Sequence, residues 1–146
     1  MPEQTLSVLL IEDDPAHAEI TRRGLEAKHL PTRLTHVEDG QAALDYLFRQ
    51  GRFSDPESSP RPDLILLDLR LPKVAGLEVL RRIKADTQLR RIPVVVLSTS
   101  AAPPDVLGAY SNQASSYLVK PTDYETFAQL FDSLKHYWLA WNRYPD

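Results

Sequence analysis

The chain has 146 residues, 42% hydrophobic and 25% charged, which fits one domain with a real core and is too short for two ordinary ones. It has no cysteine, which excludes a disulfide framework and a thiolate metal site. Its 17 Lys and Arg against 20 Asp and Glu give a net charge of -3, no surplus for coating phosphates, so no direct nucleic-acid partner is expected.

Met1-Pro2-Glu3-Gln4-Thr5 puts no cationic segment before an apolar one, unlike a secretory signal. No apolar run approaches the roughly 20 residues of a membrane span. A cytoplasmic protein with no membrane partner is the expectation. Leu6 to Ile11 is the first apolar run, closed by Glu12-Asp13-Asp14. Pro15 suits a first helical turn with Asp14 as N-cap, and Ala18, Ile20, Thr21 and Leu25 recur at helical spacing in a helix predicted through residue 29. Leu30-Pro31 breaks it. Thr32 to Val37 reads as a short strand, and Asp39-Gly40 starts a helix whose apolar face is Ala42, Ala43, Leu44, Leu47 and Phe48. Residues 51–62 are polar and rich in Pro and Ser, long for a helix-to-strand link of typically about 2–6 residues, and read as an insertion.

Leu64-Ile65-Leu66-Leu67 then runs straight into Asp68, between Pro62 and Pro72. Such a run fits a strand, Asp63 to Asp68, buried on both faces of a parallel sheet. A helix is predicted from Gly76 to Ala85, with Leu77, Val79, Leu80 and Ile83 as core. Ile92 to Leu97 is a second fully apolar strand, followed by Ser98-Thr99-Ser100. Pro103-Pro104-Asp105 opens a helix weakened by Gly108, Ser111 and Asn112. Ser115 to Val119 is the last strand, followed by Lys120-Pro121, and a final helix runs from Thr122 or Asp123 to about Trp141. Five strand-helix units imply an α/β doubly wound parallel sheet, a flavodoxin-like (βα)5 fold with strand order 2-1-3-4-5. The expected organisation is one domain over residues 1–146, with an extended C-terminal helix and no output domain.

In that topology the ends of strands one and three are neighbours, so Glu12, Asp13 and Asp14 face Asp68. Crowded carboxylates either take up protons in part or bind a cation, and hard oxygen ligands in a half-open site suit Mg2+. Strand four brings Ser98 to the same edge and strand five brings Lys120. Each alone is ordinary: acidic runs cap helices, Lys-Pro sits on surfaces, and Ser-Thr-Ser makes turns. Their joint arrival at one sheet edge makes Asp68 a candidate nucleophile toward a phosphoryl group, with the cation and Lys120 offsetting charge on the transferring oxygens.

Four segments carry a family resemblance: Leu10-Ile11-Glu12-Asp13-Asp14, Leu66-Leu67-Asp68-Leu69-Arg70-Leu71-Pro72 with Gly76 four residues on, Pro93-Val94-Val95-Val96-Leu97-Ser98, and Tyr117-Leu118-Val119-Lys120-Pro121. Over nearly its whole length the chain resembles a response-regulator receiver domain of the single-domain, chemotaxis type. The resemblance implies a signalling protein rather than an enzyme, with at most self-phosphotransfer and autodephosphorylation. It implies phosphorylation of Asp68 by a sensor histidine kinase, Asp13 as direct Mg2+ ligand, Glu12 acting through water and the backbone carbonyl of Arg70 as a further ligand. Ser98 and Lys120 would each bind a phosphoryl oxygen, and Tyr117 would be the switch aromatic. Phosphate would draw the Ser98 hydroxyl inward and vacate space for the Tyr117 ring. Arg70 and Ser100 flank the expected path of hydrolytic water. The insertion at 51–62, Leu71-Pro72-Lys73, the run from Ile92 to Ser100 and the ending Tyr137-Trp138-Leu139 resemble, more narrowly, the regulators that pair with bacterial and cyanobacterial phytochromes. The departures are Glu12 where many receivers have Asp, Ser98 where many have Thr, and Ala75 where an acidic residue often precedes the Gly.

Three rivals compete with this reading. A phosphatase of the haloacid dehalogenase type would want a second Asp at position 70, where this chain has Arg70, and a cap domain. A flavodoxin would want a phosphate loop where Glu12-Asp13-Asp14 repels phosphate. A degenerate receiver acting only as a binding module fits poorly with intact Asp13, Asp68, Ser98 and Lys120.

The last expectation concerns the C-terminal helix, where Phe127, Leu130, Phe131, Leu134, Trp138 and Trp141 form one apolar stripe. A helix of about 20 residues spans about 30 Å, whereas a strand of 5–6 residues covers only about 17–20 Å. Its last turns, carrying Tyr137, Trp138 and Trp141 with Tyr144 just beyond, should therefore overhang the sheet and pair in a two-fold homodimer. The competing covers are the 51–62 loop and the kinase.

Overall fold

The computed structural model describes residues 5–26 and 31–145. In chain order it contains β1 (Leu6–Ile11), α1 (Pro15–Leu25), β2 (Thr32–Val37), α2 (Gly40–Leu47), β3 (Leu64–Leu67), α3 (Gly76–Ala85), β4 (Val94–Ser98), α4 (Pro103–Ser111), β5 (Ser116–Val119) and α5 (Tyr124–Leu134). Short 3-10 turns at Gly51–Phe53 and Leu89–Arg91 precede β3 and β4. The strands are all parallel and lie in the order β2-β1-β3-β4-β5, the expected flavodoxin-like arrangement with its switch point between β1 and β3.

The two-residue period of the strands sorts the core into two layers. Leu9, Ile11, Ile65, Leu67, Val94 and Val96 face one side, where Ala43, Leu44 and Leu47 of α2 and Val79, Leu80 and Ile83 of α3 cover them. Val8, Leu10, Leu64, Leu66, Val95 and Leu97 face the other, against Ala18 and Leu25 of α1 and Phe127, Phe131 and Leu134 of α5. Side chains of β3 and β4 are buried on both faces, which is why those strands read as unbroken apolar runs rather than alternating ones. Each fully buried aliphatic side chain contributes roughly 1.5–3 kcal/mol, so the central strands carry much of the stabilisation that joins the two layers.

Local boundaries differ from expectation where nonlocal bonds decide them. The first helix ends at Leu25, where the N–H of Glu26 returns to the carbonyl of Arg23; residues 27–30 of the predicted helix lie outside the described residues. Asp63 is not part of β3. Its carboxylate accepts the N–H of Ser7 at 2.9 Å and its own N–H donates to the carbonyl of Ser7 at 2.7 Å. β4 starts at Val94 because Ile92 still closes the preceding 3-10 turn through Leu89 and Pro93 has no N–H to give. The insertion is stapled to α2: Tyr46 donates to the carbonyl of Pro60 at 2.7 Å, and Phe53 meets the Tyr46 ring edge-on with centroids 5.2 Å apart. That places Tyr46 and Phe53 in the α2–α3 layer, across the sheet from α5, while the end of the insertion, Arg61 and Pro62, lines a pocket together with Tyr144.

The final helix is not one continuous α-helix. After Leu134 it widens into π-helical turns from Lys135 to Trp141, closed by the N–H of Asn142 on the carbonyl of Tyr137 at 2.7 Å, an i to i+5 bond. The wider turn alters which residues share a face. Trp138 stays packed on the α1–α5 core layer, while Tyr137 and Trp141 point outward at 59% and 79% exposure. Tyr144 folds back onto the same layer and donates to the carbonyl of Trp138; burial pushes its hydroxyl up to about 12.

Candidate functional site

The register of the sheet brings the candidate residues to one edge. Ile11 pairs with Leu67, so Glu12 and Asp68 leave adjacent strands side by side, and the N–H of Asp68 donates to the carbonyl of Ile11 at 3.0 Å. Ser98 ends β4 opposite Val119 of β5, and the next residue, Lys120, donates its N–H to the carbonyl of Ser98 at 2.7 Å. Gly76 opens α3 directly against this edge. A Cβ there would lie 2.5 Å from the carbonyl oxygen of Asp68 and from Cα of Leu69, so only glycine allows so close an approach.

Glu12, Asp13 and Asp68 each offer an oxygen, and these oxygens lie within 4.8 Å of one another. Glu12 and Asp68 are buried while Asp13 is exposed, which makes a half-open cluster of hard ligands suited to a divalent cation. Asp68 accepts the backbone N–H of Arg70 on Oδ1 at 3.1 Å and the ammonium of Lys120 on Oδ2 at 3.0 Å. Lys120, with a side chain 1% exposed, also donates to Oε1 of Glu12. Glu12 is pushed up to about 7, first by burial and then by its hydrogen bond to Asp68, with Lys120 pulling the other way. One buried ammonium thus holds two buried carboxylates, and a third acid stands beside them in solvent.

The other predicted residues fall into three groups. Ser98 is fully buried at the same edge, its hydroxyl accepting the N–H of Ser100 at 3.1 Å. Tyr117 is half-buried in the α2–α3 layer and donates its hydroxyl to the carbonyl of Ser100 at 2.8 Å, so the two bind opposite ends of one residue. Arg70 keeps its side chain in solvent. Tyr137, Trp138 and Trp141 lie on the C-terminal turns described above.

Two features escape a reading of the sequence. His17, in the first turn of α1, places its Nδ1 3.1 Å from Nζ of Lys120. Asp39, which caps α2 through the N–H of Ala42 at 2.7 Å, also pairs with Lys73 at 3.5 Å. The one available signal for His17 was its place three residues after the N-cap Asp14, on the turn nearest the sheet edge.

Comparison with known proteins agrees with this geometry. The family model for the response regulator receiver domain matches residues 8–132. The chain is 46% identical over 143 residues to a probable methanogenesis regulatory protein, FilR2, of Methanothrix harundinacea, covering 98% of this chain and 90% of that protein. It is 39% identical over 132 residues to the response regulator Rcp1 of Synechocystis, covering 90% and 88%. The crystal structure of the phosphorylated cyanobacterial phytochrome response regulator RcpA superposes with a TM-score of 0.93 at 36% identity, covering 98% of this chain and all of that one. The Mn(2+)-bound form of Rcp1 superposes at 0.91 with 38% identity, covering 97% and 99%. The chain belongs to the response regulator receiver domain family.

Proposed function

We propose that Asp68 accepts a phosphoryl group from a phosphohistidine of a sensor histidine kinase, and that the chain works as a freestanding receiver domain in a two-component relay. The observation that carries this is the Lys120–Asp68 contact at 3.0 Å inside the Glu12, Asp13 and Asp68 cluster. A carboxylate oxygen of Asp68 attacks phosphorus, the P–N bond to the kinase histidine breaks, and the ring nitrogen keeps the electron pair. Lys120 then pairs with a phosphoryl oxygen and the Ser98 hydroxyl donates to another. Asp13, Asp68 and the carbonyl of Arg70 are suited to hold Mg2+, with Glu12 behind a water; the ion would supply positive charge against the transferring oxygens. The family membership removes the reasons for a phosphatase or a flavodoxin.

Likeness to Rcp1 and RcpA supports a bacteriophytochrome-type kinase as partner, and the 46% identity to FilR2 makes a kinase outside light signalling the second reading. No described helix is long and apolar enough to cross a membrane, in keeping with a cytoplasmic protein, and the acidic net charge favours no direct role for nucleic acid. The outward Tyr137 and Trp141 support a homodimer. Phosphotransfer profiling against the kinases of the source organism tests the reading, with Asp68→Asn and excess chelator as controls. Label on the Asp68→Asn protein, or transfer undiminished by chelator, would refute it; no label from any kinase would favour a binding module.

A further inference from the structure

An ammonium has three N–H groups to place, and Lys120 places all of them on protein: Oε1 of Glu12, Oδ2 of Asp68 at 3.0 Å and Nδ1 of His17 at 3.1 Å. Two of these acceptors are carboxylates that the phosphotransfer reading assigns to a cation and to the phosphoryl group. The third is an imidazole nitrogen. For Nδ1 to accept, the ring proton must sit on Nε2, and Nε2 lies 3.7 Å from Oδ2 of Asp14. Asp14 is itself fixed, its other oxygen accepting the N–H groups of Ala16 at 2.9 Å and His17 at 3.3 Å. The ring rests on Phe127 of α5 with centroids 5.4 Å apart, and Phe127 stacks on Phe131 at the same distance. Asp14, His17, Lys120 and Asp68 therefore form one polar line from the start of α1 to the candidate acceptor.

We propose that His17 is a positioning residue for Lys120: it supplies the one acceptor that neither cation nor phosphoryl group claims, and so fixes the ammonium while the other two change. The proposal rests on Asp68 being the phosphoacceptor. When the phosphoryl group arrives, the ammonium gives up its bond to Asp68 Oδ2 for a phosphoryl oxygen. With His17 in place it pivots about a retained bond. Without His17 the ammonium, on a side chain only 1% exposed, loses a partner and is drawn toward Glu12, away from the incoming group.

Two variants separate the acceptor from the ring. His17→Phe keeps an aromatic against Phe127 and removes the nitrogen; His17→Asn removes the ring and leaves an oxygen close to the place of Nδ1. Acetyl phosphate with Mg2+ serves as donor, so that kinase docking plays no part: Asp68 attacks phosphorus, the P–O bond to the acetyl group breaks, and acetate leaves. The loss of one charge-assisted hydrogen bond in His17→Phe is expected to slow transfer about 10- to 100-fold, while His17→Asn recovers most of the rate. In parallel, the ammonium 15N–H signal of Lys120, visible only while its protons exchange slowly with water, is expected in the wild type and His17→Asn and lost in His17→Phe. Wild-type transfer by His17→Phe overturns the proposal. So does a His17→Asn protein as slow as His17→Phe, since restoring the acceptor would then restore no rate; a slow His17→Asn beside a wild-type His17→Phe would leave ring packing as the sole role. If the wild type takes no phosphoryl group on Asp68, the phosphoacceptor reading fails by itself, and the ammonium signal decides whether His17 holds Lys120.

Discussion

The backbone N–H of Gly40 donates to the carbonyl of Pro72 at 3.2 Å, tying the start of α2 to the loop that follows Asp68. The contact is close because position 40 has no side chain: a Cβ there would lie 2.0 Å from the carbonyl oxygen of Val74, a backbone atom that cannot rotate away. Pro72 accepts a second N–H, from Val74 at 2.8 Å, and Lys73 between them sits at φ 70° with its ammonium near Asp39. This loop carries the Arg70 carbonyl assigned to the cation. Gly40→Ala should therefore push the loop outward. We expect a loss of roughly 1–3 kcal/mol in stability, as for other overpacked sites, and a fall in Mn2+ affinity of about 5-fold or more, equivalent to about 1 kcal/mol of misplacement. Calorimetric titration with Mn2+ and a thermal melt check both; affinity unchanged in a destabilised protein would separate the loop from the cation.

Ser100 joins the two switch candidates, since its N–H donates to the Ser98 hydroxyl and its carbonyl accepts from Tyr117. A phosphoryl oxygen that draws Ser98 inward removes one of these bonds and loosens the other, which gives the ring a reason to move with phosphorylation. A fluorinated Tyr117 should change its 19F shift on addition of beryllofluoride and Mg2+. The same ring in Ser98→Ala should respond much less. A Tyr117 signal indifferent to beryllofluoride would count against the coupling.

The sheet was legible because burial on both faces writes Leu64–Leu67 and Val94–Leu97 as unbroken apolar runs, and the strand-helix alternation leaves few topologies to choose among. The acid cluster was legible for the same reason: its members directly follow the apolar runs of β1 and β3. What was not legible depends on partners far along the chain. His17 contacts a lysine 103 residues away, and one polar residue in a helix leaves no periodic trace. Asp39-Gly40 reads as a helix start, and nothing local shows that Pro72 and Lys73 dock on it. The π-helical turn after Leu134 has no compositional mark, so the stripe predicted at spacings of three and four takes in Trp141, which stands in solvent, and the length argument puts Trp138 on the overhang when it packs on the core layer.

Glu12 provides a pH signature. Its carboxyl is raised from 4.5 to about 7, so the folded, cation-free protein holds this proton more tightly than the unfolded chain does. That contribution to stability is complete below about pH 4.5 and is lost as the pH rises through about 7. Asp14, Asp86 and Asp123 are shifted the other way by hydrogen bonds from backbone N–H groups; their contribution is present above their ordinary 3.8 and is lost in more acid solution, a separate window. The cation-free protein should thus melt at lower temperature at pH 7.5 than at pH 5.5, and Mg2+ should restore much of the difference while displacing the proton. Proton release on Mg2+ binding at pH 6.5, measured by calorimetry in buffers of different ionisation enthalpy, checks the second part. Glu12→Gln should flatten the melting profile; a profile equally steep in that variant would assign the effect elsewhere.

The C-terminal turns make the last prediction. Beside β5 and α5 lies a groove of about 500 Å3 lined by Leu118, Leu130, Leu134, Tyr137 and Trp138 together with Ser115, Ser116 and Ser133. The hydroxyl of Ser116 is buried without a hydrogen-bond partner among the described residues. Tyr137 at the groove's lining and Trp141 beyond it stand mostly in solvent, and each large aromatic can bury about 150–250 Å2. A two-fold pairing would let these rings from each copy cover the other's groove, since in such an interface the same patch serves both partners. Sedimentation at micromolar concentration should show a dimer. Tyr137→Ala with Trp141→Ala should shift it toward monomer with little change in the melt. Trp138→Ala should instead lower the melting temperature, because that side chain packs on the α1–α5 core layer. A monomeric wild type would refute the homodimer, and so would a dimer indifferent to the loss of both outward rings.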